Sequence, residues 1–403
     1  MSRPRAARPE GTAGEPFVAE LARRLADLAD RGLARELRQG RGIDFASNDY
    51  LGLAADPAFR ADLLARLAAL PADRPLTAPA SRLLRGETAA HARLERRLAR
   101  FKGTEAALLF PSGYQANVGL LAALLGPGDR AVSDAANHAS LIDGLRLAGC
   151  AKAVVPHLDV EAAERELARP FPTGRTFLVT ESLFGMDGDV APLDRYAELA
   201  ERHGACLVID DAHATGLYGE ARGSGLAERF GVERRAVALV STFGKALGAA
   251  GACVAGPRVL IDYLVQRCRT FLFTTAPPPL LLYAVEAALD RLEAEPGRRA
   301  RALALADRLR DRLPGMVPAG AAGPIVPIVL GDNGRAMAVA AELARRGFDV
   351  RAVRPPTVPA GTARLRISVH ADRTEEEIDA LAAAVPAAIA AVDGPAVPEA
   401  TRR

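Results

Sequence analysis

A lysine, an acid pair, a lone glutamate and a histidine each follow an apolar run in this chain. Together they can do amine and proton chemistry. Ser241-Thr242-Phe243-Gly244-Lys245 follows VALV, Asp210-Asp211-Ala212-His213 follows ACLVI, and Glu181 follows TFLVT. Pro111-Ser112-Gly113-Tyr114 follows AALLF and opens a helical pattern. A turn of small residues feeding a helix N-terminus offers backbone N–H groups to a phosphate. Lysine can be a nucleophilic amine or a base, whereas arginine cannot lose its proton to become either. Only three of the 52 Lys and Arg residues are lysines: Lys102, Lys152 and Lys245. Lys102 ends an Arg-rich helical stretch and Lys152 opens a strand-like run, positions where arginine would serve. Each group alone has an ordinary explanation. A strand-end Asp is often a helix cap, a lone His often packs, and a Lys after a strand often faces water. Their conjunction does not reduce so easily.

These residues need one sheet to hold them. Apolar runs at 106–110, 130–133, 151–156, 176–181, 205–210, 236–242 and 252–256 alternate for the most part with helical stretches at 91–101, 114–125, 141–148, 160–168, 193–203 and 259–268. That alternation predicts βαβ units and a mostly parallel sheet flanked by helices, an α/β fold. Continuous apolar runs such as LVID and VALV suit strands buried on both faces. Ligands of such sheets bind beyond the carboxyl ends of the strands, which is where the reactive residues fall. After Pro277-Pro278-Pro279 the pattern changes to helices over 280–294 and 300–313, GPIVPIVLG, a helix over 335–347, the strand TARLRISVH and a last helix from Thr374. This predicts a smaller C-terminal α+β domain. Upstream, Phe17, Leu21, Leu25 and Leu28 recur at helical spacing, predicting a helix from Glu15 to about Gly40. The expected division is a tail, helix and substrate-site segment at 1–55, a large domain at 56–285 and a small one at 286–395.

Composition narrows the classes. At roughly 100–200 residues per domain, 403 residues make two or three units. A net charge of +3 gives no basic field for nucleic acid. No apolar run reaches the ~18 residues of a membrane span; the best candidate, Ala380 to Val392, is broken by Pro386. Residues 1–16 read as a disordered tail rather than a signal peptide. Cys150, Cys206, Cys253 and Cys268 show no CxxC spacing, as expected for reduced, cytoplasmic, structural thiols. His91, His157, His203 and His370 read as surface or packing groups, and Arg93 to Arg100 as a solvated helix face.

Pyridoxal 5'-phosphate (PLP) would use every member of the constellation. It needs a lysine for covalent attachment and an acid for its ring nitrogen. It also needs donors for its phosphate and a flat group over its ring. At this point the chain resembles the α-oxoamine synthases, a family of fold-type I PLP-dependent transferases. The resemblance runs from about Ser47 to Ala380 and rests on SNDYLGL, FPSGYQAN, NHASLIDG, MDGD, DDAHATG, STFGKALG and RPPTVPAGTARLR. The wording RPPTVP resembles the biotin-synthesis branch more than the branches that make aminolevulinate or ketosphinganine.

The resemblance implies roles residue by residue. Lys245 matches the lysine that attaches to the cofactor and later removes the substrate's Cα proton. Asp210 matches the acid on the ring nitrogen, His213 the imidazole on the phenolic oxygen, and His138 the imidazole stacked over the ring. Thr242 with Ser112, Gly113 and Tyr114 matches the phosphate site. Thr274 and Thr275 resemble residues sent to a partner subunit's phosphate, which implies a homodimer with shared sites. Asn48 borders the substrate pocket, and Arg366 matches the arginine that holds the amino-acid carboxylate. The implied reaction is decarboxylative condensation of an amino acid, L-alanine, with an acyl-CoA, pimeloyl-CoA; the alternatives are another reaction of the family, such as glycine with acetyl-CoA, or a subunit that keeps the fold without catalysis. Three positions depart from the family wording. Ala78-Pro79-Ala80-Ser81-Arg82 stands where glycines are usual, Gly185 stands where Ser often precedes MDGD, and Ala214 stands in DDAHATG. The first borders the acyl side of the site.

Overall fold

The computed structural model describes residues 14–171 and 174–394. Residues 1–13 of the expected tail lie outside the described residues. The chain forms two compact units. The smaller contains residues 14–44, 328–366 and 384–394, and the larger Phe45–Pro327 with Ile367–Ala383.

Strand β1 (Ile43–Asp44) belongs to the smaller unit. The next seven are β2 (Ala106–Phe110), β3 (Arg130–Asp134), β4 (Ala151–Val155), β5 (Thr176–Glu181), β6 (Cys206–Asp210), β7 (Ala238–Thr242) and β8 (Ala252–Gly256). They form one sheet in the order β2-β8-β7-β6-β5-β3-β4, parallel from β7 through β4, with β8 antiparallel to both its neighbours. Side chains alternate between two buried clusters. Leu109, Leu207, Ile209 and Leu239 enter one, while Phe110, Val208, Val240 and Val254 enter the other. Apolar side chains on both faces explain the unbroken runs. At about 1.5–3 kcal/mol per fully buried large apolar side chain, these runs are the main anchor of the sheet. The opposite happens at β4, an edge strand whose Ala151, Lys152 and Val154 are exposed. A lysine there discourages pairing with another chain's strand.

In the smaller unit β1 pairs in parallel with β10 (Phe348–Asp349). The three-stranded sheet runs β11-β12-β9, where β9 is Ile325–Gly331, β11 Arg351–Val353 and β12 Ala363–Ser368. One expectation fails. The N-terminal helix ends at Asp30, not near Gly40. Gly32 takes a left-handed φ of 64°, and the Leu33 N–H turns back to donate to the Leu28 carbonyl at 2.8 Å. The last helix, expected from Thr374, runs from Glu375 to Asp393 with Pro386 inside it. Proline removes one hydrogen bond from a helix interior, and here the turns on either side hold. Among the described residues no helix is long and apolar enough to cross a membrane.

Two further surfaces are more tightly paired than sequence suggested. Arg93 makes a bidentate pair with Glu286, 2.7 Å for each bond, and Arg97 reaches Asp290 at 2.6 Å. The arginine face of the helix Ala89–Lys102 is therefore bound to the helix Pro279–Ala294 rather than merely solvated. His157 bridges Asp134 Oδ1 and Asp189 Oδ2, each at 2.8 Å, with its ring edge-on to Phe184. Burial opposes the charged imidazole, but the two carboxylates outweigh it and push its pKa from 6.5 up to about 10. The folded state thus holds a proton that the unfolded state releases above its ordinary pKa. That stabilisation is complete below pH 6.5 and is lost as pH rises toward 10. Urea unfolding from pH 6.5 to 9.5 should show wild type losing stability faster than His157→Gln, by nearly one proton's slope. Parallel pH curves for the two proteins would refute the bridge.

Candidate active site

Strand pairing brings the reactive residues to one edge of the larger unit's sheet. Glu181 and Asp210 end β5 and β6 and lie opposite each other in register. Thr242 ends β7 and pairs with Ala252, which pairs in turn with Phe110 at the end of β2. Because β8 is antiparallel to both, β2 and β7 point the same way. Ser112 and Gly113 therefore emerge beside Thr242.

Ser112 caps the helix Gly113–Leu124 and accepts from the Gln115 N–H at 3.2 Å. A Cβ at Gly113 would lie 2.4 Å from Thr242 Cγ2, so only glycine lets the helix start come this close. Thr242 Oγ1 is buried and has no hydrogen-bond partner among the described residues. A buried hydroxyl without a partner is costly. On a residue packed beside a helix N-terminus, it suits an anionic oxygen. Tyr114 is exposed and donates to Asp143 Oδ2 at 2.7 Å. Thr274 accepts from Gln115 Nε2 at 3.2 Å, while Thr275 is exposed. The Ala276 N–H donates to the Ala80 carbonyl at 3.0 Å, which ties the unusual 78–82 loop to this threonine segment.

Asp210 is buried, and its Oδ2 accepts from Asn117 Nδ2 at 2.6 Å. Asn117 Nδ2 also donates to Ser140 Oγ at 2.9 Å, and Ser140 Oγ lies 2.8 Å from His138 Nδ1. One buried chain of contacts thus joins the strand-end acid to His138, the cap of the helix Ala139–Ala148. His138 remains solvent-exposed. Partial desolvation by the surrounding protein, opposed by Asp210 and helped by Lys245, lowers its pKa, which favours a neutral ring. Glu181 Oε1 accepts from the His138 N–H at 2.6 Å. Burial first, then the Asp210 charge, push the Glu181 carboxyl above its usual range, while Lys245 and the N–H groups of His138 and Gly185 pull it back. The Lys245 charge is thus felt by both Glu181 and His138.

His213 lies in the turn after β6, buried, with Nδ1 2.8 Å from the hydroxyl of the fully buried Tyr50. That hydroxyl also reaches Asn48 Oδ1 at 3.2 Å. A Cβ at residue 185 would lie 2.3 Å from His213 Nε2. Gly185 therefore makes room for this imidazole, a physical reason for one departure from the family wording. Ala214 is fully buried in the core. Arg366 lies buried on β12 in the smaller unit, in register with Arg351 of β11.

The larger unit thus gathers Ser112, Gly113, His138, Asp210, His213, Asn48 and Thr242 through contacts or strand register, with Lys245 in the turn after β7. Sequence reasoning gave no role to Asn117, Ser140 or Tyr50. All three stand inside motifs already singled out, but only the fold shows which way they connect. The residues fit PLP: an orphaned hydroxyl at a helix N-terminus for phosphate, a buried acid for a ring nitrogen, and two imidazoles and a lysine nearby.

Comparison with known proteins agrees with this geometry. Residues 41–385 match the aminotransferase class I and II family. An 8-amino-7-oxononanoate synthase of Anaeromyxobacter dehalogenans (strain 2CP-1 / ATCC BAA-258) is 47% identical over 352 residues, covering 86% of each chain. A serine palmitoyltransferase from S. paucimobilis, solved with PLP and myriocin bound, superposes with a TM-score of 0.83 at 28% identity, covering 96% of this chain and 100% of that one. An 8-amino-7-oxononanoate synthase from Francisella tularensis superposes with a TM-score of 0.72 at 25% identity, covering 87% and 98%. With a sheet of this topology and a match over most of its length, the chain belongs to the aminotransferase class I and II family.

Proposed function

We propose that this protein is a PLP-dependent acyltransferase of biotin synthesis. It condenses L-alanine with pimeloyl-CoA to give 8-amino-7-oxononanoate, CoA and CO₂. The observation that carries the reading is the meeting of Thr242, the helix start at Gly113 and the Asp210–His138 network in a chain 47% identical to a synthase of that name.

When bound, PLP supplies an aldehyde that captures amines and a ring that accepts the electrons released at the substrate's Cα. The protein's part is positional and protonic. Lys245 Nζ would hold the cofactor between turnovers and, as a neutral amine, would take the substrate's Cα proton. Asp210 keeps the proton on the ring nitrogen, and Asn117 fixes the carboxylate that does so. His138 would cover the ring face, its imidazole held by Ser140 and its backbone N–H by Glu181. His213 donates to the phenolic oxygen. Thr242 and the turn Ser112-Gly113-Tyr114 hold the phosphate, and Thr274 and Thr275 serve the phosphate in a partner subunit of a cytoplasmic homodimer. Asn48 borders the substrate, and Arg366 receives the alanine carboxylate in a bidentate pair. Cofactor binding falls to segment 56–285, the carboxylate site to 286–395 and the substrate border to 1–55.

Steady-state turnover with a panel of acyl-CoAs and amino acids tests the substrates. Pimeloyl-CoA with L-alanine should be preferred, and no turnover with that pair would sink the assignment. A preference for glycine with acetyl-CoA would place the protein elsewhere in the family. The phosphate site has its own test. Thr242→Val keeps the shape against Gly113 but removes the hydroxyl. A hydrogen bond to a charged group is worth about 1.5–3 kcal/mol, so PLP affinity should fall about 10- to 100-fold. The cofactor-free protein should melt no lower than wild type, because the lost hydroxyl had no partner there. Fluorescence titration with PLP and thermal melts read the two effects.

A further inference from the structure

We propose that Tyr50 is a positioning residue for His213: its hydroxyl donates to Nδ1 and holds the imidazole with its proton on Nε2, which Gly185 leaves room to accommodate. The inference deepens the function above, since it concerns the imidazole assigned to the cofactor's phenolic oxygen.

A tyrosine hydroxyl has one proton to give. Tyr50 offers it to two neighbours, His213 Nδ1 at 2.8 Å and Asn48 Oδ1 at 3.2 Å. The proton is assigned to Nδ1, the nearer acceptor, rather than to Asn48 Oδ1. A half-turn of the Asn48 amide then lets its N–H donate to the tyrosine oxygen. The line Asn48, Tyr50, His213 thereby runs from the substrate border to the cofactor group.

Tyr50 is completely buried and His213 nearly so, which favours full pairing of both. A histidine's second nitrogen is set by the bond the first one makes. With Nδ1 accepting, Nε2 must carry the proton, and a donor is what a phenolic oxygen requires. The geometry on the far side agrees. Nε2 lies 2.3 Å from where a residue-185 Cβ would stand, so any side chain there would displace the ring. Glycine at 185 and a tyrosine donor at 50 are two parts of one arrangement. The Gly185 N–H is itself engaged by Glu181, which keeps that backbone in place.

The test uses full-length, PLP-loaded protein labelled with ¹⁵N-histidine. His213 is one of six histidines, and its signals are those missing in His213→Gln. Wild type should show Nδ1 as a hydrogen-bond acceptor and Nε2 protonated. Tyr50→Phe keeps the ring and its burial but removes the donor, and His213 should then populate both tautomers. Its kcat should fall on the order of 10-fold, as when partners that orient metal-binding histidines are removed, while KM for the amino acid changes far less. Gly185→Ala keeps Tyr50 and should disturb the same two signals by displacing the ring, so a poorly folded Tyr50→Phe would not end the test. An unchanged His213 tautomer in Tyr50→Phe, with kcat within twofold of wild type, would overturn the proposal. A tautomer shift in a protein without condensation activity would uphold the Tyr50–His213 link and overturn the assigned reaction instead.

Discussion

Lys245→Ala should lose the cofactor's lysine-linked visible absorbance and drop kcat by on the order of 10⁴-fold or more. Proton transfer by a positioned side chain alone contributes about 10²- to 10⁴-fold, and covalent attachment is lost with it. The alanine variant also removes a charge that Glu181 and His138 feel. Lys245→Arg separates these effects. It keeps a cation in the turn after β7, so the carboxyl of Glu181 stays under an opposing charge. It cannot supply a neutral amine. Both variants should therefore be inactive, and both should fold, since Lys245 is only half-buried. Activity, visible spectra and melting curves of the two proteins decide the matter. An arginine variant with more than a few per cent of wild-type turnover would remove Lys245 from the centre of the mechanism.

Much of this was legible in sequence because strand ends are easy to find in a sheet buried on both faces. The run ACVAG matches β8 residue for residue, and TFLVTE matches β5. Placing Glu181, Asp210 and Thr242 at one edge needed only the rule that ligands gather at carboxyl ends. Connections across the fold were less visible. Asn117 follows Ser112 by five residues, yet its partner is Asp210, 93 residues away. No local spacing encodes that bond. The reach of the first helix failed for a local reason, the left-handed turn at Gly32. Helical spacing of apolar residues is silent about a glycine that reverses the chain. Gly185 was visible as a departure, but its sense came from the His213 ring that fills the space. His157 looked like a packing group because its two carboxylate partners are 23 and 32 residues away in sequence.

Lys102 is the case where structure reverses the sequence argument, and it carries the second large effect. By sequence, arginine would serve there, as at Lys152. Instead Lys102 is 1% exposed and Asp211 fully buried, with Nζ 2.7 Å from Asp211 Oδ2 and 2.6 Å from the Ser224 carbonyl. Asp211 Oδ1 accepts from Ser182 Oγ at 2.6 Å and from the Leu226 N–H at 3.1 Å. The ion pair therefore pins the residue next to Asp210 from several directions. Removing one partner of a buried pair strands the other charge and costs about 3–5 kcal/mol. Lys102→Ala should lose about that much in urea unfolding. Lys102→Arg should also destabilise, by about 1–3 kcal/mol, because a larger head must fit a filled space. The double variant Lys102→Met/Asp211→Leu removes both charges, and so should recover part of the loss. Full recovery is not expected, because Ser182 and the Leu226 N–H would then lack their acceptor. Lys102→Ala within about 1 kcal/mol of wild type would show that water reaches the pair, and that arginine's absence at this position has no energetic cause.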